Sequence, residues 1–365
     1  MKAYFFVLPI LLIGCSKVSF TDSFKEQNKG KSKIEIPEVQ ELVHIAIAIT
    51  HTGLDDSNMV NHTTGYYQEV LDHFKPFKNE SLIKELDKNL PSKYAHVKMD
   101  ACGYYFDSTN HIVKNENYNQ LNWSSKNYID PLLDQLQEFS DKSNFREFYS
   151  AHKGYYAEQI TLLEKQSPVQ KQWDWLEQKF PQRYDNYWIT FSPLVGGSHS
   201  TNRFITDDFK QTVMFVQGGI NSKEYSDKVI EGLMTRVVFT EIDHNYVNPT
   251  SDRFANEIKD IFKNREHWTT IDSWADSYKS ELSVFNEYMT WAVFSLYASE
   301  NFNAQDFETI NHLVENQMDN YRGFNEFSRF NRKLLSLYKE QNPRQIEELY
   351  PLILDWCKIK IANKR

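Results

Sequence analysis

The stretch Val237–Pro249, "VVFTEIDHNYVNP", decides how the chain is read, because it is one residue away from the metal-binding helix pattern H-E-x-x-H. Glu241 and His244 stand at the second and last letters, and Thr240 stands at the first. The spacing predicts a helix capped at Asn221, with Glu224 three positions on, ending before Pro249. Ile230, Leu233, Met234, Val237 and Val238 recur at intervals of three and four and define one buried face. At about 100° per residue Glu241 falls near the centre of that face, with His244 one turn further along and Thr240 on its flank.

A second helix repeats the arrangement. In "SVFNEYMTWAVFSLYA" the stripe Val284, Tyr288, Trp291, Phe294 and Ala298 contains Glu287. An unpaired ionised carboxylate costs several kcal/mol to bury, so both glutamates need partners: a metal, an Arg, a His or a shared proton. E-x-x-H alone is a weak signal. Of the 11 histidines, His44 in "ELVH" also has a Glu three residues before it, and that copy reads as one face of an ordinary strand.

Outward from these helices, "ELVHIAIAIT" (41–50) alternates with period two and predicts a strand, and "TTGYYQEVLDHFKPF" predicts a helix ended by Pro76. Further helical patterns follow to about residue 180. "NYWITFSPLVGG" and "QTVMFVQGG", rich in β-branched and aromatic residues and closed by glycine pairs, predict strands from about 185, and the chain is helical from Gly219 onward. The expected class is α+β, mostly helical, with a small sheet preceding the Glu241 helix.

Lys2, the apolar run Ala3–Ile13 and "LIGC" at 12–15 form a signal peptide with a lipobox, residues 1–15, whose Cys15 is the expected lipidation site. Eleven apolar residues are too few for a permanent span, which needs about 20. Residues 16–36 are polar and predict a tether, leaving 37–360 as the folded domain. The expected location is the cell envelope, exported and lipid-anchored, on a periplasmic or outer-surface face. With 41 basic and 50 acidic residues among 365, a net charge of −9 argues against nucleic acid as a partner. Cys102 and Cys357 could pair or stay as buried thiols; sequence leaves both open.

The two inward glutamates, the helix after the strands and the pair Asn286-Glu287 together resemble the thermolysin-like zincins, whose second helix carries a ligand in an Asn-Glu motif. More closely, "TTGYYQEVLDHFKPF", "TEIDHNYVNP" and "FNEYMTWAVFSLY", spread over roughly residues 40 to 355, resemble domain-of-unknown-function family 4932, a family of bacterial secreted proteins and lipoproteins. The resemblance implies a zincin-like domain, zinc as cofactor, His244 and Glu287 as metal ligands, Glu241 as the base that takes a proton from metal-bound water, and a peptide substrate. The chain departs from that pattern at Thr240, whose neutral hydroxyl is a poor substitute for imidazole.

Several outcomes follow from that departure. The chain binds no metal and uses the scaffold to hold a peptide, glycan or envelope protein; or His199 in "GGSHS" replaces the missing ligand; or Thr240 tolerates a weakly held metal. Asp243, about 100° round the helix from His244, is expected to point away from the site. A metal-free alternative has Glu241, His244, Glu287 and Arg236 satisfying one another as a buried polar network. "YWITFSP" is a core strand or an edge that pairs with peptide.

Overall fold

The structure, a computed structural model, describes residues 20–118 and 126–362; the signal-peptide reading of 1–15 and the lipidation site Cys15 lie outside them. Seven helices matter below: α1 Asp22–Asn28, α2 Glu38–Ala48, α3 Gly65–Phe74, α4 Tyr94–Asp100, α5 Asp227–Ile242, α6 His244–Asp252 and α7 Glu281–Asn301. The strands are β1 Lys31–Glu35, β2 Tyr104–Phe106, β3 Ile112–Lys114, β4 Asn186–Phe191, β5 Ser200–Ile205 and β6 Lys210–Val216. The class is α+β, mostly helical, with a small mixed sheet.

Four strands form that sheet in the order β1-β4-β6-β5, and β2 and β3 form a separate hairpin. β1 and β6 flank β4 in parallel, with Lys31 opposite Asn186 and Thr190 opposite Phe215; β5 runs antiparallel to β6, with Thr201 opposite Met214. Period-two alternation divides β6 between two cores: Met214 and Val216 join Tyr187, Ile189 and the helices, whereas Val213 and Phe215 join Phe20, Tyr118 and Phe204 on the other face. The expected strands at 186–191 and 210–216 are therefore present; β5, whose "STNRFI" mixes polar and apolar residues on a sheet edge, was not anticipated.

Two expectations are corrected. From residue 20 on, the segment 16–36 is not a tether: Thr21 caps α1 by accepting from Phe24 N–H, Phe20 packs on Phe209 with ring centroids 5.0 Å apart, and β1 closes the sheet as an edge strand. Lys31 and Lys33 keep that edge polar, which is how edge strands avoid further pairing and why the stretch reads as solvated chain. "ELVHIAIAIT" is not a strand but most of α2. Every residue from Val39 to Ala48 is buried, so the helix has no polar face whose 3.6-residue period could show itself. It is seated by Gln40, which donates to Lys98 C=O at 2.8 Å, and by His44, stacked on Phe215 at 5.2 Å. The helix expected before Pro76 is α3, which ends at Phe74.

The decisive helix starts later and ends differently than expected. Its cap is Ser226, whose hydroxyl accepts from Val229 N–H, and not Asn221. It breaks for one residue at Asp243 and resumes as α6, which carries Pro249 inside it. The proline forfeits one i→i−4 hydrogen bond. Burial of Tyr246 and Val247, with Thr250 Oγ1 donating to Tyr246 C=O at 2.8 Å, carries the helix past it. Cys102 and Cys357 are buried free thiols in different cores.

Candidate functional site

A cavity of about 560 Å³ opens between α5, α6, α7, β5 and the loop before β5. Arg236, Thr240 and Glu241 reach it from the end of α5, His244 and Asn248 from the start of α6, and Asn286, Glu287 and Trp291 from α7. His199, Thr201 and Arg203 line the strand side; Trp274, Tyr278 and Arg322 close the far side. The two helices do bring His244 and Glu287 together: Nε2 lies 3.2 Å from Oε1. Asn248 Oδ1 is 3.2 Å from His244 Nδ1 and orients the ring.

Arg322, at the end of the π-helix Gln317–Arg322, takes the other side of Glu287. Its Nη2 donates to Glu287 Oε2 at 2.9 Å and to Tyr278 OH at 2.7 Å. Burial pushes the Glu287 carboxyl up, but the His244 hydrogen bond and the Arg322 charge outweigh it and hold the group below the usual glutamate range. Burial likewise works to lower His244, and the Glu287 hydrogen bond and charge overcome it, so the imidazole is raised. The pair is an ion pair fixed by a guanidinium.

The other anticipated residues fall as follows. Thr240 is buried and its Oγ1 donates back to Arg236 C=O at 2.9 Å, a bond within its own helix. Glu241 is half-buried on the cavity wall, where the Thr201 hydroxyl donates to its Oε2. His199 lines the same cavity with its Nε2 unpartnered among the described residues; burial, then the charges of Arg236 and Lys98, push its pKa down to about 3. Asp243 does not line the cavity, as expected, but it is not solvated either. It is 0% exposed, neither carboxylate oxygen has a partner among the described residues, and burial followed by the charges of Glu287 and Glu241 pushes it well above the usual aspartate range.

Three groups escaped sequence reasoning. Arg322 is brought in by the Gly323 turn, at φ +80°, after a π-helix with no apolar periodicity pointing to the site. Arg203 donates through Nε to Asn245 Oδ1, and Asn245 in turn donates to Thr212 at 2.9 Å, tying β5 and β6 to α6. Lys98 on α4 is 1% exposed and donates to Ser198 C=O at 2.6 Å, holding the loop that carries His199; burial pushes it down to about 7. Arg236, expected in a network with the glutamates, makes no hydrogen bond to a carboxylate among the described residues; it lies over the Trp291 ring at 4.7 Å.

A zinc centre needs three protein ligands and a water. His244 and Glu287 converge, but Glu287 Oε2 is taken by Arg322 and the Thr240 hydroxyl is spent on its own helix. Among the described residues no group of three or more His, Cys, Asp or Glu is placed to hold a metal ion, so the donor set falls one ligand short. Comparison of the chain with family models, with curated proteins and with solved structures returned no match.

Proposed function

We propose that this chain is an exported envelope protein, anchored through lipid on Cys15, that keeps a zincin-like pair of helices as a binding cleft and not as a zinc peptidase. One observation carries the reading: both oxygens of Glu287, the carboxylate expected to ligate metal, already face a cationic partner, His244 on one side and Arg322 on the other. A divalent cation entering there would displace Arg322 from Glu287 and would meet the second guanidinium of Arg236 on the same wall. The centre is electrostatically complete as it stands, which suits a cleft that holds a peptide, glycan or protein partner without cleaving it.

Zinc-dependent hydrolysis with Glu241 as base is the competing reading. It is favoured by the 3.2 Å between His244 Nε2 and Glu287 Oε1, a separation that two ligands of one metal could adopt. Zinc loading followed by metal analysis separates the two. The binding reading expects below about 0.1 equivalent, against the one equivalent of a three-ligand site; near one equivalent, lost in His244→Ala, would overturn it. Anchoring is checked separately by incorporation of a labelled fatty acid, which must vanish in Cys15→Ser.

A further inference from the structure

The cavity wall is unevenly neutralised. Arg203, Arg236 and Arg322, with His244 beside them, face it against Glu241 and Glu287, a local positive excess in a chain whose net charge is −9. Glu287 is matched by Arg322 and His244, and Glu241 is engaged by Thr201. Among the described residues neither Arg203 nor Arg236 pairs with a carboxylate; Arg203 Nε is engaged by Asn245, whereas Arg236 has only the face of Trp291.

Its setting is that of a recognition group. The Arg236 guanidinium lies 4.7 Å from the centroid of Trp291, and that of Arg322 lies 4.9 Å from the same ring. Two like charges on one aromatic ring repel, and burial followed by the Arg322 charge pushes Arg236 down to about 10. An anion between them relieves that repulsion. Polar atoms of the neighbouring lining residues are also unmet: Arg322 Nε, His199 Nε2 and Asn286 Oδ1 are buried without partners among the described residues. Two of these, a guanidinium N–H and an imidazole that can take either tautomer, can donate to an oxyanion.

We infer that Arg236, with Arg322 and His199, forms a subsite for the carboxylate group of a small organic ligand whose body lies along Trp274. A bound anion offsets the positive excess of the wall, and Glu241 and Glu287 there repel a dianion such as phosphate more strongly than a monoanion. Trp274 is 58% exposed and also lines the cavity, offering an apolar surface to the rest of the ligand. The volume, about 560 Å³, falls in the range that encloses drug-sized ligands. The guanidinium forks set the specificity, since a planar carboxylate accepts from them in bidentate fashion. This inference deepens the binding-cleft reading and rests on it.

The test is titration calorimetry of the full-length protein in detergent, made metal-free by dialysis and held at constant ionic strength, with benzoate, its neutral analogue benzamide, and inorganic phosphate. Saturable benzoate binding is expected, with benzamide at least about tenfold weaker. Arg236→Gln should lose at least about tenfold for benzoate, with Arg236→Lys in between because it keeps the charge without the fork. Circular dichroism confirms that each variant is folded, and the lysine variant carries the comparison should the glutamine variant not fold. Equal affinity for benzoate and benzamide, no saturable benzoate binding by the wild type, or undiminished binding by the folded variants would each overturn the subsite; phosphate binding more tightly than benzoate would overturn the carboxylate assignment. With the protein metal-free, zinc cannot produce the signal, so failure here is distinct from failure of the zinc-loading test.

Discussion

The pattern E-x-x-H stands twice in this chain, as Glu41/His44 on α2 and as Glu241/His244 across the α5–α6 break, and the two copies end in opposite electrostatic states. In the first, both residues sit in the core. Glu41 accepts from Tyr66 OH at 2.6 Å and burial pushes it up to about 7; burial pushes His44 down to about 3. Burial dominates there, and each group moves toward its neutral form. In the second copy the imidazole is raised and its partner Glu287 is lowered, because Arg322 and a direct hydrogen bond favour the charged forms. The same four-residue spacing gives a neutral core pair or an ion-pair centre according to whether a counter-charge is supplied from elsewhere in the chain.

That contrast is broken most directly by Glu287→Ala, which strands His244 and Arg322. A loss of about 3–5 kcal/mol in urea unfolding is expected, the range for removing one partner of a buried ion pair. The loss should be largest between about pH 4.5 and 6.5. Stability from the lowered Glu287 is present above the ordinary glutamate pKa and fades as pH falls through its folded value; that from the raised His244 is present below the ordinary histidine pKa and fades as pH rises through its folded value. A loss under about 1 kcal/mol would mean the charges are not coupled.

Glu41→Gln probes the other copy with the opposite sign. Because Glu41 is raised to about 7, its stabilising protonated form is complete below the ordinary glutamate pKa and is lost as pH rises through 7. Glutamine cannot ionise, so the variant should gain on wild type between pH 4 and pH 8 by up to about 3 kcal/mol. A pH-independent difference would show that Glu41 does not titrate in the folded protein.

Thr240→His asks what separates the second copy from a metal centre. Restoring the imidazole alone should raise zinc affinity little, because Arg322 still occupies Glu287; combined with Arg322→Gln it should raise affinity at least about tenfold, or about 1.4 kcal/mol, by calorimetry. Equal gains in the single and double variants would show that Thr240 alone blocks the metal. Asp243→Asn replaces a carboxyl that burial, then the charges of Glu287 and Glu241, push well above the usual aspartate range. The variant should gain stability over wild type as pH rises from 5 to 8, followed by thermal melts; a marked loss at both would reveal a partner for Asp243.

Much of the site was legible. Glu287 on the apolar stripe of α7 and the inward face of His244 follow from helical spacing, their pairing is implied only by the zincin resemblance, and β4 and β6 declare themselves through β-branched and aromatic runs. What could not be read has physical causes. A helix buried on all sides loses its period, as α2 does. An edge strand made of lysines resembles a linker, as β1 does. Arg322 could not be assigned because its role depends on a turn at Gly323 and on contacts 35 residues from Glu287 in sequence. The α5–α6 break is invisible because Asp243 looks like a surface residue until the packing encloses it.

The burial of Phe20 and the seating of β1 on the sheet edge set the length of leash. A polar segment free to residue 36 would let the body roam many tens of ångströms from a lipid on Cys15, since an extended chain reaches about 3.5 Å per residue. With the chain captured at Phe20, only four residues separate Cys15 from packed structure, a reach of at most about 18 Å over five residue steps. A lipid there, as proposed, would hold the folded body close to the bilayer.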